Sequence, residues 1–248
     1  MIKLLEEINL EDYTLILPSV AVGNVGQLSI DLLISTLNLY KIGSMWSSIF
    51  LPICGYDPYN KNTNSLCTAA DFYLGTTHKI VLLQLRSPHV GNSTDFFKEL
   101  AEFIQQKKIS KIIILTSSYD YERSERSDSS LRYLTTDDSL MNNKTLLESL
   151  KWKRYTRKTL MEPTENFHIP GGGFANGLYN YLKSVDIPCT VLFCYCSEGD
   201  NISDALTLVK GLNQWLNILE TTSNIDINVR YPPSWEYLFG NPPASELY

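Results

Sequence analysis

No stretch of this 248-residue sequence approaches the ~20 consecutive apolar residues that a bilayer-spanning helix requires, so no membrane partner is expected. Basic charge is in deficit, with 21 Lys and Arg against 27 Asp and Glu, a net charge of −6. Nucleic acid attracts the opposite balance, so it too is excluded as a partner. Histidine is scarce: His78, His89 and His168 lie far apart, and none sits in a recognisable motif. The five cysteines (Cys54, Cys67, Cys189, Cys194 and Cys196) are odd in number and irregularly spaced. They frame no disulfide set, and a reducing compartment would keep them as thiols. There is no Walker A loop, G-x-S-x-G elbow, H-E-x-x-H pair or C-x-x-C pair. At the start of the chain, Glu6, Glu7, Glu11 and Asp12 stand where a secretory signal needs its apolar centre. The expected location is inside the cell.

What is present is a chain with 44% hydrophobic residues, long enough to bury a core without disulfide or metal staples. Short apolar runs rich in β-branched residues alternate with helical patterns. Residues 15–22, 42–53, 80–85, 112–115 and 189–196 read as strands. Residues 26–39 are apolar nearly all round and read as a buried helix. Phe96, Phe97, Leu100, Phe103 and Ile104 recur at helical spacing behind an N-cap at Ser93 or Thr94. Lys107 and Lys108 follow at the C-terminal end, where the helix dipole favours cations. A Gly-rich turn at 170–173 precedes another helix running to Val185, and Ile202, Ala205, Leu206, Val209, Leu212, Leu216 and Leu219 mark the clearest amphipathic one.

Continuous apolar strands between helices predict an α/β fold: a single-domain sandwich, its largely parallel sheet flanked by helices. The domain is expected over residues 1–220, and an irregular tail rich in proline and aromatics over 221–248. Residues 117–130, with no aliphatic side chain and many charges, read as an exposed loop.

Several constellations invite chemistry. Cys194 and Cys196 would share one face of their strand and Cys189 the other, so three thiols cannot converge on a metal, and none is expected. Residues 23–26 (GNVG) lie between strand and helix without dinucleotide-binding spacing, which favours a tight turn. The glycines at 171–173 suit an anion cradle, a strained turn or close backbone packing; the last two are favoured. Glu198 and Asp200 follow a strand end, where they could serve as acid and base, or cap the next helix and salt-bridge a partner. Lys151, Trp152, Lys153 and Arg154, with Arg157 and Lys158, form a basic cluster that reads as a solvated or partner-facing patch.

Taken in order, six motifs resemble the proteasome assembly chaperone 2 family. They are residues 19–28 (SVAVGNVGQL), 83–87 (LQLRS), 169–173 (IPGGG) and 197–201 (SEGDN) with Asp204, Ala205 and Leu206. Leu212, Asn213, Trp215 and Leu216 follow, then 232–235 (PPSW) with Leu238, Phe239 and Gly240. The resemblance implies a non-catalytic chaperone without a cofactor, found in cytoplasm and nucleus. It implies a fold distantly similar to nucleoside phosphorylases and a heterodimer with proteasome assembly chaperone 1. That heterodimer would bind proteasome α-subunits and scaffold the α-ring of the core particle. Tails that dock between α-subunits commonly end hydrophobic-Tyr-X, whereas this chain ends Glu246, Leu247, Tyr248. Those three residues are the candidate α-ring contact, and Trp235, Tyr237 and Phe239 the candidate partner surface. The competing reading is a phosphorylase- or hydrolase-like enzyme, with the Gly-rich turns holding phosphate and Glu198 or Asp200 as acid or base.

Overall fold

The computed structural model describes residues 1–123, 130–150, 152–156, 168–223 and 226–237. From the N-terminus the chain forms β1 (Ile2–Leu4), β2 (Thr14–Pro18), α1 (Val25–Leu37) and β3 (Tyr40–Met45). Next come β4 (Cys54–Tyr56), β5 (Leu66–Thr68), β6 (Ala70–Gly75), β7 (Ile80–Leu85), α2 (Thr94–Gln106) and β8 (Lys111–Tyr119). The second half adds β9 (Leu131–Thr135), α3 (Asp138–Met141), α4 (Lys144–Leu150), β10 (Lys153–Arg154) and α5 (Ala175–Ser184). It closes with β11 (Cys189–Cys196), α6 (Ile202–Leu216), β12 (Thr221–Ser223) and β13 (Asp226–Ile227).

The main sheet runs β1-β3-β6-β7-β2-β8-β11-β9-β10. Its centre, β7-β2-β8-β11, is parallel: Leu15 lies opposite both Val81 and Ile112, and Val191 opposite Ile114. These are the runs with no polar alternation, buried on both faces because helices cover both. Toward one edge β6, β3 and β1 pair antiparallel, since the short Thr76 to Lys79 turn folds β7 straight back on β6. The parallel expectation thus holds for the centre, and the sheet as a whole is mixed.

Side-chain alternation sorts the core into two clusters. Leu15, Leu17, Val81, Leu83, Ile112, Ile114 and Phe193 face α2 and α5. Ile16, Leu82, Ile113, Leu115 and Leu192 face α1 and α6. Cys189 falls in the first cluster and Cys194 and Cys196 in the second, the split that strand geometry predicts.

Local readings change at several points, and the strand expected over 15–22 ends at Pro18. The second strand stops at Met45, and residues 46–53 form a loop pinned by buried Ile49 and Phe50. β8 continues through Ser117, Ser118 and Tyr119, residues whose polarity had placed them in a loop. Their burial is possible because Ser117 donates to the Val22 oxygen and Ser118 to the Pro170 oxygen. Residues 124–129 of that loop lie outside the described residues. Ser93 is the N-cap of α2 as expected, but its hydroxyl pairs with His89, and the Thr94 N–H donates instead to the Asn92 side chain at 3.0 Å. Lys107 and Lys108 stand at the C-terminal end of α2 as expected, and they also tie down the N-terminal loop: Lys107 donates to the Ile8 oxygen and Lys108 pairs with Glu11.

Candidate protein-binding surface

Three of the sequence motifs meet at the C-terminal ends of β2, β8 and β11, where open α/β sheets hold ligands. Here the chain fills that crevice itself. The Gly172 oxygen accepts from Ser19 Oγ at 2.9 Å and Thr116 Oγ1 at 3.0 Å, and Ser19 Oγ in turn accepts from the Ala175 N–H. Val22 N–H donates to the Gly171 oxygen at 3.0 Å, and the Cys196 thiol to the Val22 oxygen. Gly171 and Gly173 adopt φ of 74° and 60°; a Cβ on Gly173 would lie 1.9 Å from the Val20 oxygen. The glycines are therefore required by close backbone packing. Gly23 serves the same end, at φ 65°, with the buried Asn201 side chain against its Cα.

The acidic pair does not converge on this seal as acid and base. Asp200 Oδ1 accepts from the Ile202 N–H at 3.1 Å at the start of α6, and Glu198 is exposed. Asp204 is raised above the usual carboxylate range by burial and by nearby Asp120 and Asp200. His89 is lowered by burial, and its ring packs on Phe174. Among the described residues no group of three His, Cys, Asp or Glu is placed to hold a metal.

The 83–87 motif has a different task. From β7, Gln84 donates to Asp31 Oδ1 at 2.6 Å, and Arg86 donates to the same oxygen at 2.9 Å. Tyr59 donates its hydroxyl to Asp31 at 2.6 Å and accepts from Arg86 at 2.6 Å. Burial opposes the Arg86 charge, and Asp31 together with Tyr59, Tyr73 and Cys67 more than offsets it; burial and Asp31 together push the Tyr59 phenol well up. The network fastens the segment carrying β4 and β5 to α1 and the sheet. Beside it, a cleft of about 620 Å³ is lined by Asn38, Lys41, Tyr59, Asn60, Tyr73 and Arg230.

Ahead of that anchor, residues 42–56 carry no charged side chain. Leu51, Pro52, Ile53, Cys54, Gly55 and Tyr56 are all exposed, Tyr56 at 82%. Trp46, Leu66 and Val90 add further exposed apolar area. A cavity of about 300 Å³ opens among Met45, Trp46, Phe50, Leu51, Pro52 and Ile53. Exposed apolar patches of this kind mark interaction sites. Sequence reasoning passed over this surface; the uncharged run was its visible signal.

Trp235 is half-buried and packs against the α1 and α6 cluster, with Tyr231 at 5.8 Å between ring centres. Its segment returns to the body: the Arg230 N–H donates to Thr36 Oγ1 at 3.0 Å and the Ser234 N–H to the Pro58 oxygen at 3.2 Å. The Tyr237 side chain, Phe239, Glu246, Leu247 and Tyr248 lie outside the described residues. In the basic cluster Trp152 is a core residue, edge-on to Trp215 at 5.6 Å, so it offers no stacking platform. Lys153 and Arg154 are exposed on β10; Lys151, Arg157 and Lys158 are outside the described residues. No described helix is long and apolar enough to cross a membrane.

An α/β domain whose strand-end crevice is sealed by its own backbone has close structural counterparts. Pyrococcus furiosus PbaA, an archaeal homolog of proteasome-assembly chaperone, superposes with a TM-score of 0.68 over 91% of this chain and 90% of its own, at 15% identity. P. furiosus PbaB, an archaeal proteasome activator, gives 0.63 over 88% of each chain, at 17% identity. The PAC2 family model matches residues 15–226, and the chain belongs to the PAC2 family. Its relatives include Proteasome assembly chaperone 2 of Xenopus laevis, 37% identical over 93% of both chains. Proteasome assembly chaperone 2 of Homo sapiens is also 37% identical, over 95% of this chain and 96% of its own.

Proposed function

We propose that this chain is a non-catalytic assembly chaperone of the proteasome core particle. It pairs with proteasome assembly chaperone 1, and the heterodimer binds α-subunits and scaffolds their ring, in cytoplasm and nucleus. The observation that carries this reading is identity of 37% with Proteasome assembly chaperone 2 across nearly the full length of both chains. Two structural features support it. The crevice a phosphorylase- or hydrolase-like enzyme would use is taken up by the 171–173 turn, and Trp46, Leu51, Ile53, Tyr56 and Leu66 leave apolar area exposed between β3 and β6. Glu246, Leu247 and Tyr248 are the proposed α-ring contact; Trp235, Tyr237 and Phe239 are the proposed partner surface.

The test is a native pulldown of the tagged chain, with the bound proteins identified by mass spectrometry. Chaperone 1 and α-subunits are expected together, without β-subunits of the finished particle. Their absence overturns the reading. A thermal-shift series with phosphate, nucleosides and nucleotides addresses the enzyme alternative: no rise in Tm is expected, since only a ligand that binds the native state raises it.

A further inference from the structure

We infer that the chain stores its own residues 238–248 in the cleft of about 620 Å³ beside Tyr59. The segment folds back from the 233–237 turn, Glu246 pairs with Arg230, and Leu247 lies against Leu39 and Leu66. The contact needs neither the partner chaperone nor the α-ring, so it stands or falls apart from the function proposed above.

The cleft is built for an occupant. Ser35 and Tyr73 line it while only 5% and 4% exposed, and neither hydroxyl has a hydrogen-bond partner among the described residues. Buried hydroxyls are nearly always paired, and the N–H and C=O groups of an extended peptide supply what both lack. Leu5, Tyr40 and Leu66, all exposed, add apolar wall. Charge narrows the choice further. Lys41 is taken up by Asp71 and the Leu66 oxygen, and Asp57 accepts the Tyr59 N–H within its own turn. Of the charged lining groups, only the Arg230 guanidinium has no partner among the described residues. Residues 238–248 carry one charged side chain, the carboxylate of Glu246.

Position selects this segment over any other peptide. The Ser234 N–H donates to the Pro58 oxygen and Glu236 pairs with Lys61. The chain therefore reaches residue 237 at the rim of the cleft, beside Asp57, Tyr59 and Asn60, which line it. The nine residues from there to Glu246 span up to about 30 Å when extended, several times the width of a cleft of this volume. Gly240, Pro242 and Pro243 are residues that turn a chain. So short a tether holds the segment at an effective concentration on the order of millimolar, which a separate peptide or a second copy matches only at that concentration. Leu247 and Tyr248 cannot serve the α-ring while they are stored, so α-subunits compete with the cleft for the same residues.

Ser65 lines the cleft and is exposed, so Ser65→Cys in the full-length chain reports on it. The rate of maleimide labelling at residue 65 is read by peptide mass spectrometry in that chain unaltered, with Arg230→Glu, with Glu246→Arg, and with both together. Each single reversal is expected to speed labelling about threefold or more, since it replaces an attraction by a repulsion. The double reversal restores the pair and is expected to return the slow rate. Arg230 is exposed, and circular dichroism checks that every version folds alike. An unchanged rate in either single variant, or a fast rate in the double one, overturns the proposal. Slow labelling that quickens on dilution assigns the segment to the cleft of a second copy and overturns it as well. None of these outcomes touches the α-ring role of Glu246, Leu247 and Tyr248, which α-subunit pulldown reads by itself.

Discussion

The Arg86 guanidinium and the Asp31 carboxylate meet at 2.9 Å, with side chains only 18% and 12% exposed. Removing one member of such a pair leaves a buried charge without compensation, which costs about 3–5 kcal/mol. Asp31→Ala is expected to lower stability by that order in chemical denaturation. Tyr59→Phe removes only the phenol hydrogen bonds, one of them to a carboxylate, and should cost about 1.5–3 kcal/mol. A loss below 0.5 kcal/mol for Asp31→Ala, on the order of a plain surface change, would show the network to be slack.

Gly173→Ala is expected to prevent folding, because its Cβ would meet the Val20 oxygen at 1.9 Å and nothing there can yield. Gly91 supplies the control: its φ is 79° but open space surrounds it, so Gly91→Ala should cost only the left-handed penalty of about 1–2 kcal/mol. Gly172 has no positive φ, so its alanine variant tests packing on Ile169 alone. Soluble yield and circular dichroism separate the three. Equal tolerance of Gly173→Ala and Gly91→Ala would contradict the seal.

Glu198→Gln is expected to leave stability unchanged within about 0.5 kcal/mol, as for an exposed side chain with no structural task. Asp200→Ala should cost about 1 kcal/mol by freeing the Ile202 N–H at the start of α6. Thermal melts at neutral pH check both.

Burial pushes the Cys189 thiol up to about 12 and the Cys196 thiol up to about 11, against an ordinary value near 9. Both groups are held neutral in the fold. The stability they contribute is fully present below pH 9 and is lost as pH rises through 11 to 12. At pH 8 the native chain should therefore show one fast thiol toward a disulfide reagent, Cys54, and all five in denaturant. Fast reaction of several thiols in the native chain would mean that β11 is not the buried strand described here.

Deleting Glu246, Leu247 and Tyr248 is expected to weaken α-ring binding while sparing folding and pairing with chaperone 1. Burying a Leu side chain contributes about 1.5–3 kcal/mol, and ordering the tail takes part of it back. Pulldown of α-subunits by the truncated heterodimer decides it; unchanged recovery leaves the tail without that role.

The central strands were legible because they are buried on both faces: residues 80–85 and 189–196 match β7 and β11 residue for residue. α1 was legible from its apolar run and α6 from its amphipathic spacing, to within two or three residues. What polarity concealed was Ser117 and Ser118, whose hydroxyls find partners only in segments far away in sequence. Reading 221–248 as one irregular tail likewise hid the antiparallel pairing of β12 with β13 at its start. The glycine motif was visible, but its reason lay in a contact between Gly173 and Val20 that no local pattern encodes. The exposed surface around β4 was missed because an apolar run reads as core until the fold shows which of its residues are left outside.

β2 occupies the middle of the sheet, although its residues are among the first to be synthesised. Leu15 has to wait for Val81 on one side and Ile112 on the other, and Ser19 then waits for Gly172. Contacts this distant in sequence make folding slow, and the nascent chain carries bare strand edges for most of its synthesis. Its yield in the cell should therefore depend on growth temperature and on general folding helpers more than a locally wired protein of equal length would.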